Sequence, residues 1–99
     1  MQFITAQEFI QKNHPGFFFV LDIRESYERE VFAIPSVHIP MHEVCGRVEE
    51  LPERDTVVIM CNSGKRAEAL CNMLECDYGK ANLLVLEGGS SALSEKMNS

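Results

Sequence analysis

The 99-residue chain contains no tryptophan, only four cysteines and few basic residues. No apolar run approaches the roughly 20 residues that a helix needs to cross a bilayer. The first residues also lack the basic start and long apolar stretch of a secretory signal. These absences predict a cytoplasmic protein without a membrane partner. Hydrophobic residues make up 45% and charged residues 24% of the chain, which is the composition of one globular domain.

The scarcity of basic residues also bears on polyanionic partners. Nine Lys and Arg against 15 Asp and Glu give a formal net charge of −6. A negative surface repels nucleic acid and anionic membranes within about one Debye length, roughly 8 Å at physiological salt. We therefore expect no nucleic-acid partner.

The four cysteines are too sparse for a disulfide framework, and no C-x-x-C pair indicates a zinc ribbon or a redox dithiol. We expect no metal site. Cys45 and Cys71 fall within apolar helical stripes and are predicted to pack in the core. Cys76 is predicted to face outward from its helix, and Cys61 remains as the one cysteine in a distinctive setting.

Three segments carry helical signals. A capping box opens a helix at Thr5, with Phe9 and Ile10 predicted on its buried side. Apolar residues recur at helical spacing through residues 41–51. A third helix is predicted to follow Arg66, and its inward stripe consists of Ala67, Leu70, Cys71 and Leu74.

Continuous apolar runs at residues 17–21, 56–61 and 83–86 are typical of strands that are covered on both faces of a parallel sheet. Residues 34–40 predict a short strand between prolines, near a sheet edge. Strands that alternate with helices in this way indicate βαβ units. The predicted fold class is therefore α/β, with an open parallel sheet and helices on both faces.

Ligands of such sheets bind beyond the carboxyl ends of the strands. Three charged or reactive clusters follow strands: Asp22 with Arg24, residues 61–66, and residues 87–89. We expect these clusters to meet in space.

The segment at residues 61–66 has the features of an anion-binding turn. Cys61 ends a predicted strand, Gly64 follows in the turn, and Arg66 begins a helix. A tight turn of this kind points backbone N–H groups inward and adds the positive end of the helix dipole. Lys65 and Arg66 add two positive charges. Because such surroundings favour a thiolate over a thiol, Cys61 is the predicted nucleophile.

The sequence CNSGKRA at residues 61–67 resembles the active-site loop of single-domain rhodaneses, with their C-x-x-G-x-R signature. Residues 21–25 resemble the D-x-R segment of that family, and residues 34–40 resemble its I-P…I-P stretch. Residues 86–89 resemble its C-terminal double glycine. Departures from the family pattern include Ala67, where serine is common, and the missing tryptophans after the double glycine.

The resemblance implies a single rhodanese-like domain over residues 1–99, with an open, mainly parallel sheet of about five strands. It implies a sulfurtransferase in which Cys61 attacks the outer sulfur of a small donor such as thiosulfate or a persulfide. A persulfide then forms on Cys61 and passes its sulfur to a thiol or to a sulfur-carrier protein. No metal or organic cofactor is expected.

The resemblance also implies roles for the neighbouring residues. Lys65 and Arg66 would hold the anionic group of the donor and stabilise leaving sulfite. Asp22 and Arg24 would support the loop rather than touch the substrate. The backbone amides of the loop would surround the sulfur, so the implied anion-binding residues are Asn62, Ser63, Gly64, Lys65 and Arg66.

Two alternatives stay open at this point. Phosphatases and arsenate reductases of the same architecture use a C-x5-R loop, which is one residue longer than the C-x4-R spacing here. The shorter loop better suits a single sulfur atom than a tetrahedral oxyanion. The second alternative is a non-catalytic interaction module that retains the loop.

Overall fold

The computed structural model describes residues 1–13 and 16–98, and within them the strands form one parallel sheet in the order β1-β5-β4-β2-β3. The strands are β1 Phe3–Ile4, β2 Phe19–Asp22, β3 Val37–His38, β4 Val57–Met60 and β5 Leu83–Leu86. The helices are α1 Ala6–Lys12, α2 Ser26–Arg29, α3 Met41–Val44, α4 Lys65–Tyr78 and α5 Gly89–Met97, with a 3-10 helix at Cys45–Glu50. None of the described helices is long and apolar enough to span a bilayer.

Side chains of the central strand β4 alternate between two apolar clusters, one on each face of the sheet. Val57 and Ile59 pack with α3 and α4, whereas Val58 and Met60 pack with α1 and α5. The predicted α/β sheet with helices on both faces is thus confirmed. Strand β1 was not predicted, because two residues are too few to show a periodic pattern.

Helix α1 begins with the predicted capping box. The Thr5 hydroxyl accepts from the Glu8 amide at 3.1 Å, and the Glu8 carboxylate accepts from the Thr5 amide at 3.1 Å. Phe9 is buried as predicted, but Ile10 is exposed. Only one side of this seven-residue helix, the side of Ala6 and Phe9, is buried. Ile10 lies about 100° around the helix from Phe9 and therefore falls outside that side.

The segment 41–51 is not one amphipathic α-helix. The α-helix ends at Val44 and a 3-10 helix follows, with a break in helical geometry at Arg47 (φ −132°). The change from 3.6 to about three residues per turn rotates the following side chains. Cys45 directly follows the buried Val44 and lies about 100° further around the helix, on its exposed side, so the prediction that it packs in the core was wrong. Cys71 is buried and Cys76 is exposed, as predicted.

The two strands that lead to the predicted site have different bounds from the apolar runs that predicted them. Strand β2 begins at Phe19 and continues to Asp22, and Phe17 lies before it with its ring exposed. Strand β4 ends at Met60. Cys61 is therefore the first residue of the following turn and not the last residue of a strand.

Candidate active site

The turn between β4 and α4 holds Cys61 at its start and Gly64 at its end. Gly64 is the N-cap of α4 with φ +100°, a conformation that side chains with a Cβ rarely adopt. A Cβ at this position would also lie 3.4 Å from the Gly88 amide nitrogen. Glycine here lets the chain reverse direction and begin α4 within four residues of Cys61.

The Cys61 sulfur lies inside this turn with no exposed surface. Its Sγ accepts hydrogen bonds from the Gly64 amide at 3.0 Å and from the Ala67 amide at 3.4 Å. The amides of Lys65 and Arg66 have no acceptor within residues 1–13 and 16–98. These donors, together with the N-terminus of α4, favour negative charge at the sulfur.

The outer side of the turn is fixed by the start of α5. The Ser90 amide donates to the Cys61 carbonyl at 2.7 Å, and the Ser91 amide donates to the Asn62 carbonyl at 3.0 Å. A Cβ on Gly89 would overlap the Cys61 carbonyl oxygen and would lie 2.6 Å from that of Asn62. The double glycine thus approaches the turn through its backbone, so these two predicted clusters meet in space.

The third cluster is a buried ion pair below the turn. Asp22 accepts from Arg24 Nε at 3.0 Å and from Arg24 Nη2 at 2.9 Å, and Arg29 adds a third bond at 3.0 Å. Burial acts to raise the pKa of Asp22, but the hydrogen bonds from the two arginines outweigh it and the pKa is lowered. Asp22 is therefore ionised and fully paired.

A side-chain path joins this ion pair to the turn. Arg24 Nη1 donates to the Ser90 hydroxyl at 3.3 Å, and that hydroxyl donates to the Asn62 side-chain oxygen at 3.1 Å. Asp22 and Arg24 make no hydrogen bond with Cys61. Sequence reasoning did not assign Ser90, and its position directly after the double glycine was the available signal.

The two cations of the turn differ in their surroundings. Lys65 is exposed and has no ion pair among the described residues. Arg66 donates two bonds to the Glu28 carboxylate of α2, Nη1 to Oε1 at 2.9 Å and Nη2 to Oε2 at 2.7 Å. Bonds from Arg66 lower the pKa of Glu28, and Glu28 raises the pKa of Arg66. Sequence reasoning missed Glu28, because a single acidic residue in a short helix carries no signal of a distant partner.

The fold and the turn agree with a comparison against protein families. The rhodanese-like domain matches residues 5–96, and the chain therefore belongs to the rhodanese-like domain family. The solved structure of a rhodanese-related protein from Thermoplasma volcanium superposes with a TM-score of 0.87 at 25% identity. It covers 97% of this chain and 93% of that one.

Two curated relatives carry names that refer to sulfur transfer. A provisionally named sulfur carrier protein of Bacillus subtilis (strain 168), YrkF, is 40% identical over 70 residues, which is 70% of this chain and 38% of that protein. A sulfurtransferase of Allochromatium vinosum is 37% identical over 71 residues, 71% of this chain and 65% of that protein. The chain thus matches less than two thirds of the length of either relative.

Proposed function

We propose that this domain transfers a sulfane sulfur from a donor such as thiosulfate to a thiophilic acceptor through a persulfide on Cys61. The observation that carries the proposal is the pair of amide hydrogen bonds to Cys61 Sγ, from Gly64 and Ala67. Hydrogen bonds to a charged sulfur favour the thiolate, which is the nucleophilic form of cysteine. Family membership and the names of the two relatives support the same general activity.

The first half-reaction is a displacement at sulfur. The Cys61 thiolate attacks the outer sulfur of thiosulfate, a new S–S bond forms, and the bond to the sulfite group breaks. Its electron pair leaves with sulfite, so Cys61 carries a persulfide anion and no oxidant is consumed. In the second half-reaction the thiolate of an acceptor attacks the outer sulfur and restores the Cys61 thiolate.

The turn can stabilise both sulfur species by the same means. The amides of Lys65 and Arg66 remain available to the outer, charged sulfur of a persulfide, while Gly64 and Ala67 bond the inner one. The enclosed position of Cys61 excludes water, which strengthens these bonds. Since Cys61 has no exposed surface, a donor reaches Sγ only when part of the turn moves aside.

Asp22 and Arg24 act in this proposal as supports. Their buried pair holds Ser90, and Ser90 holds both the side chain of Asn62 and the carbonyl of Cys61. Lys65 supplies a positive charge that no carboxylate pairs within the described residues. The acceptor is a small thiol or a sulfur-carrier protein.

Intact-mass measurement after incubation with thiosulfate tests the proposal. Wild type is expected to gain the mass of one sulfur atom and to lose it on addition of cyanide or a thiol. Cys61→Ala should gain nothing. Cys76→Ala is the matched control, because Cys76 is also a free cysteine but lies exposed on α4. An unmodified wild type would support the non-catalytic interaction module, and a gain that follows Cys76 would refute the role of Cys61.

A further inference from the structure

The positive charge of Arg66 is already engaged by a carboxylate. Both of its terminal nitrogens bond Glu28 in a two-point contact at 2.9 and 2.7 Å. Glu28 is mostly buried, with 16% of its side chain exposed. Because opposite charges at this distance largely cancel each other's field, Arg66 attracts a further anion much less than a free guanidinium would.

Other charges beside the turn add to this effect. A cavity of about 330 Å³ borders Asn62 and Ser90, and two carboxylates, Glu28 and Glu95, line it. The guanidinium in its lining belongs to Arg24, which is paired with buried Asp22. On this side of the turn the carboxylates therefore oppose the positive charge of Lys65 and disfavour a second negative charge on the donor.

We infer that Glu28 is a specificity-determining residue that selects against donors carrying two negative charges. This inference rests on the proposed sulfur transfer and adds the class of donor: a sulfane sulfur compound with one negative charge or none. Thiosulfate, a dianion, is then a slow donor because Glu28 both repels it and occupies Arg66.

Two donors of similar chemistry and different charge can test this. Thiosulfate is a dianion, and attack by the Cys61 thiolate releases the sulfite dianion. Methanethiosulfonate is a monoanion, and the same attack releases the methanesulfinate monoanion. In both reactions one S–S bond forms on Cys61, one S–S bond breaks, and the electron pair leaves with the sulfur oxyanion. The ratio of the two kcat/KM values therefore measures how strongly the site favours or disfavours a second negative charge on the donor.

The variant Glu28→Gln removes the charge and keeps the shape of the side chain. Its amide oxygen can still accept from the Glu25 amide, the 2.9 Å bond that caps α2. We expect the ratio of kcat/KM for thiosulfate to kcat/KM for methanethiosulfonate to rise about three- to tenfold at low salt. The rise should shrink at about 1 M salt, because screening of the charges is then nearly complete. Glu30→Gln is the matched control, since Glu30 is exposed and changes the net charge equally. It should leave the ratio unchanged.

If Glu28 had a purely structural role, Glu28→Gln would change kcat/KM for both donors by the same factor, and that result would overturn the inference. An equal rise in Glu30→Gln would also overturn it, because net charge alone would then be responsible. Binding without turnover gives a second measurement, with sulfate and methanesulfonate titrated against loop amide signals in NMR spectra. Glu28→Gln should gain more affinity for sulfate than for methanesulfonate, and equal gains would refute the inference. If wild type and variant transferred sulfur from neither donor, the proposed function would fail, and this titration would still decide the role of Glu28.

Discussion

Replacing Gly89 by alanine is expected to destabilise the domain far more than the same replacement at Gly79. Both glycines have nearly the same backbone conformation, with φ +61° and +64°. They differ in their surroundings. Nothing lies within 4 Å of a Cβ on Gly79, whereas a Cβ on Gly89 would overlap the backbone of Cys61 and Asn62.

The expected magnitudes follow from these two contributions. A side chain at positive φ costs about 1–2 kcal/mol. Alanine recovers about 0.4–1 kcal/mol by restricting the unfolded chain. Gly79→Ala should therefore cost about 1 kcal/mol. Gly89→Ala adds about 1–3 kcal/mol for overpacking, because backbone atoms cannot rotate away from the new methyl group.

Urea unfolding followed by circular dichroism, in reducing buffer, measures both free energies. In thermal unfolding, each kcal/mol lowers Tm by about 4–8 °C in a domain of this size. Gly89→Ala should also lose sulfur transfer, since it displaces the carbonyl of Cys61, and Gly79→Ala should retain it. Equal free-energy losses in the two variants would refute the argument that the double glycine is required by close backbone approach.

Three further predictions concern the buried pair, the thiols and the length of the turn. Asp22→Asn leaves the Arg24 charge buried without its partner and should lower the free energy of unfolding by about 3–5 kcal/mol in urea titrations; a loss within error would contradict this. Burial raises the pKa of Cys71 to about 11, so alkylation of the native protein at pH 8 should modify Cys76 and spare Cys71. The stability that this neutral thiol contributes is complete below about pH 9 and is lost as the pH rises toward 11, and Cys71→Ala should remove that part of the pH dependence. One residue inserted after Gly64 should abolish persulfide formation in the intact-mass assay, and unchanged transfer would show that loop length is not decisive.

Local and periodic features of the fold could be predicted from the sequence. The capping box at Thr5 uses residues three apart, and the buried stripe of α4 repeats at helical spacing, so both appear directly in the sequence. The meeting of the three clusters followed from parallel topology, which brings the carboxyl ends of strands to one edge. The exposure of Cys45 was not predictable in this way, because the apolar pattern does not show where the α-helix ends or which of its apolar residues the core covers.

Side-chain partners across long sequence separations could not be predicted. Arg66 and Glu28 are 38 residues apart, and Arg24 and Ser90 are 66 residues apart. Each pair depends on the packing of a helix against the sheet edge, which sets the distance between the two side chains. The sequence therefore indicated which residues gather near Cys61, whereas the structure was needed to establish which charge is paired with which.

The hydrogen bonds from α5 to the carbonyls of Cys61 and Asn62 determine which side of the turn presents N–H groups. In a trans peptide unit the carbonyl and the following N–H point in opposite directions. With both oxygens anchored to α5, the N–H groups of Asn62 and Ser63 must point away from that helix. An electron-rich group that approaches the turn from the side opposite α5 therefore meets N–H donors rather than carbonyl oxygens. Helix α5 fixes this arrangement although it makes no hydrogen bond to the Cys61 sulfur.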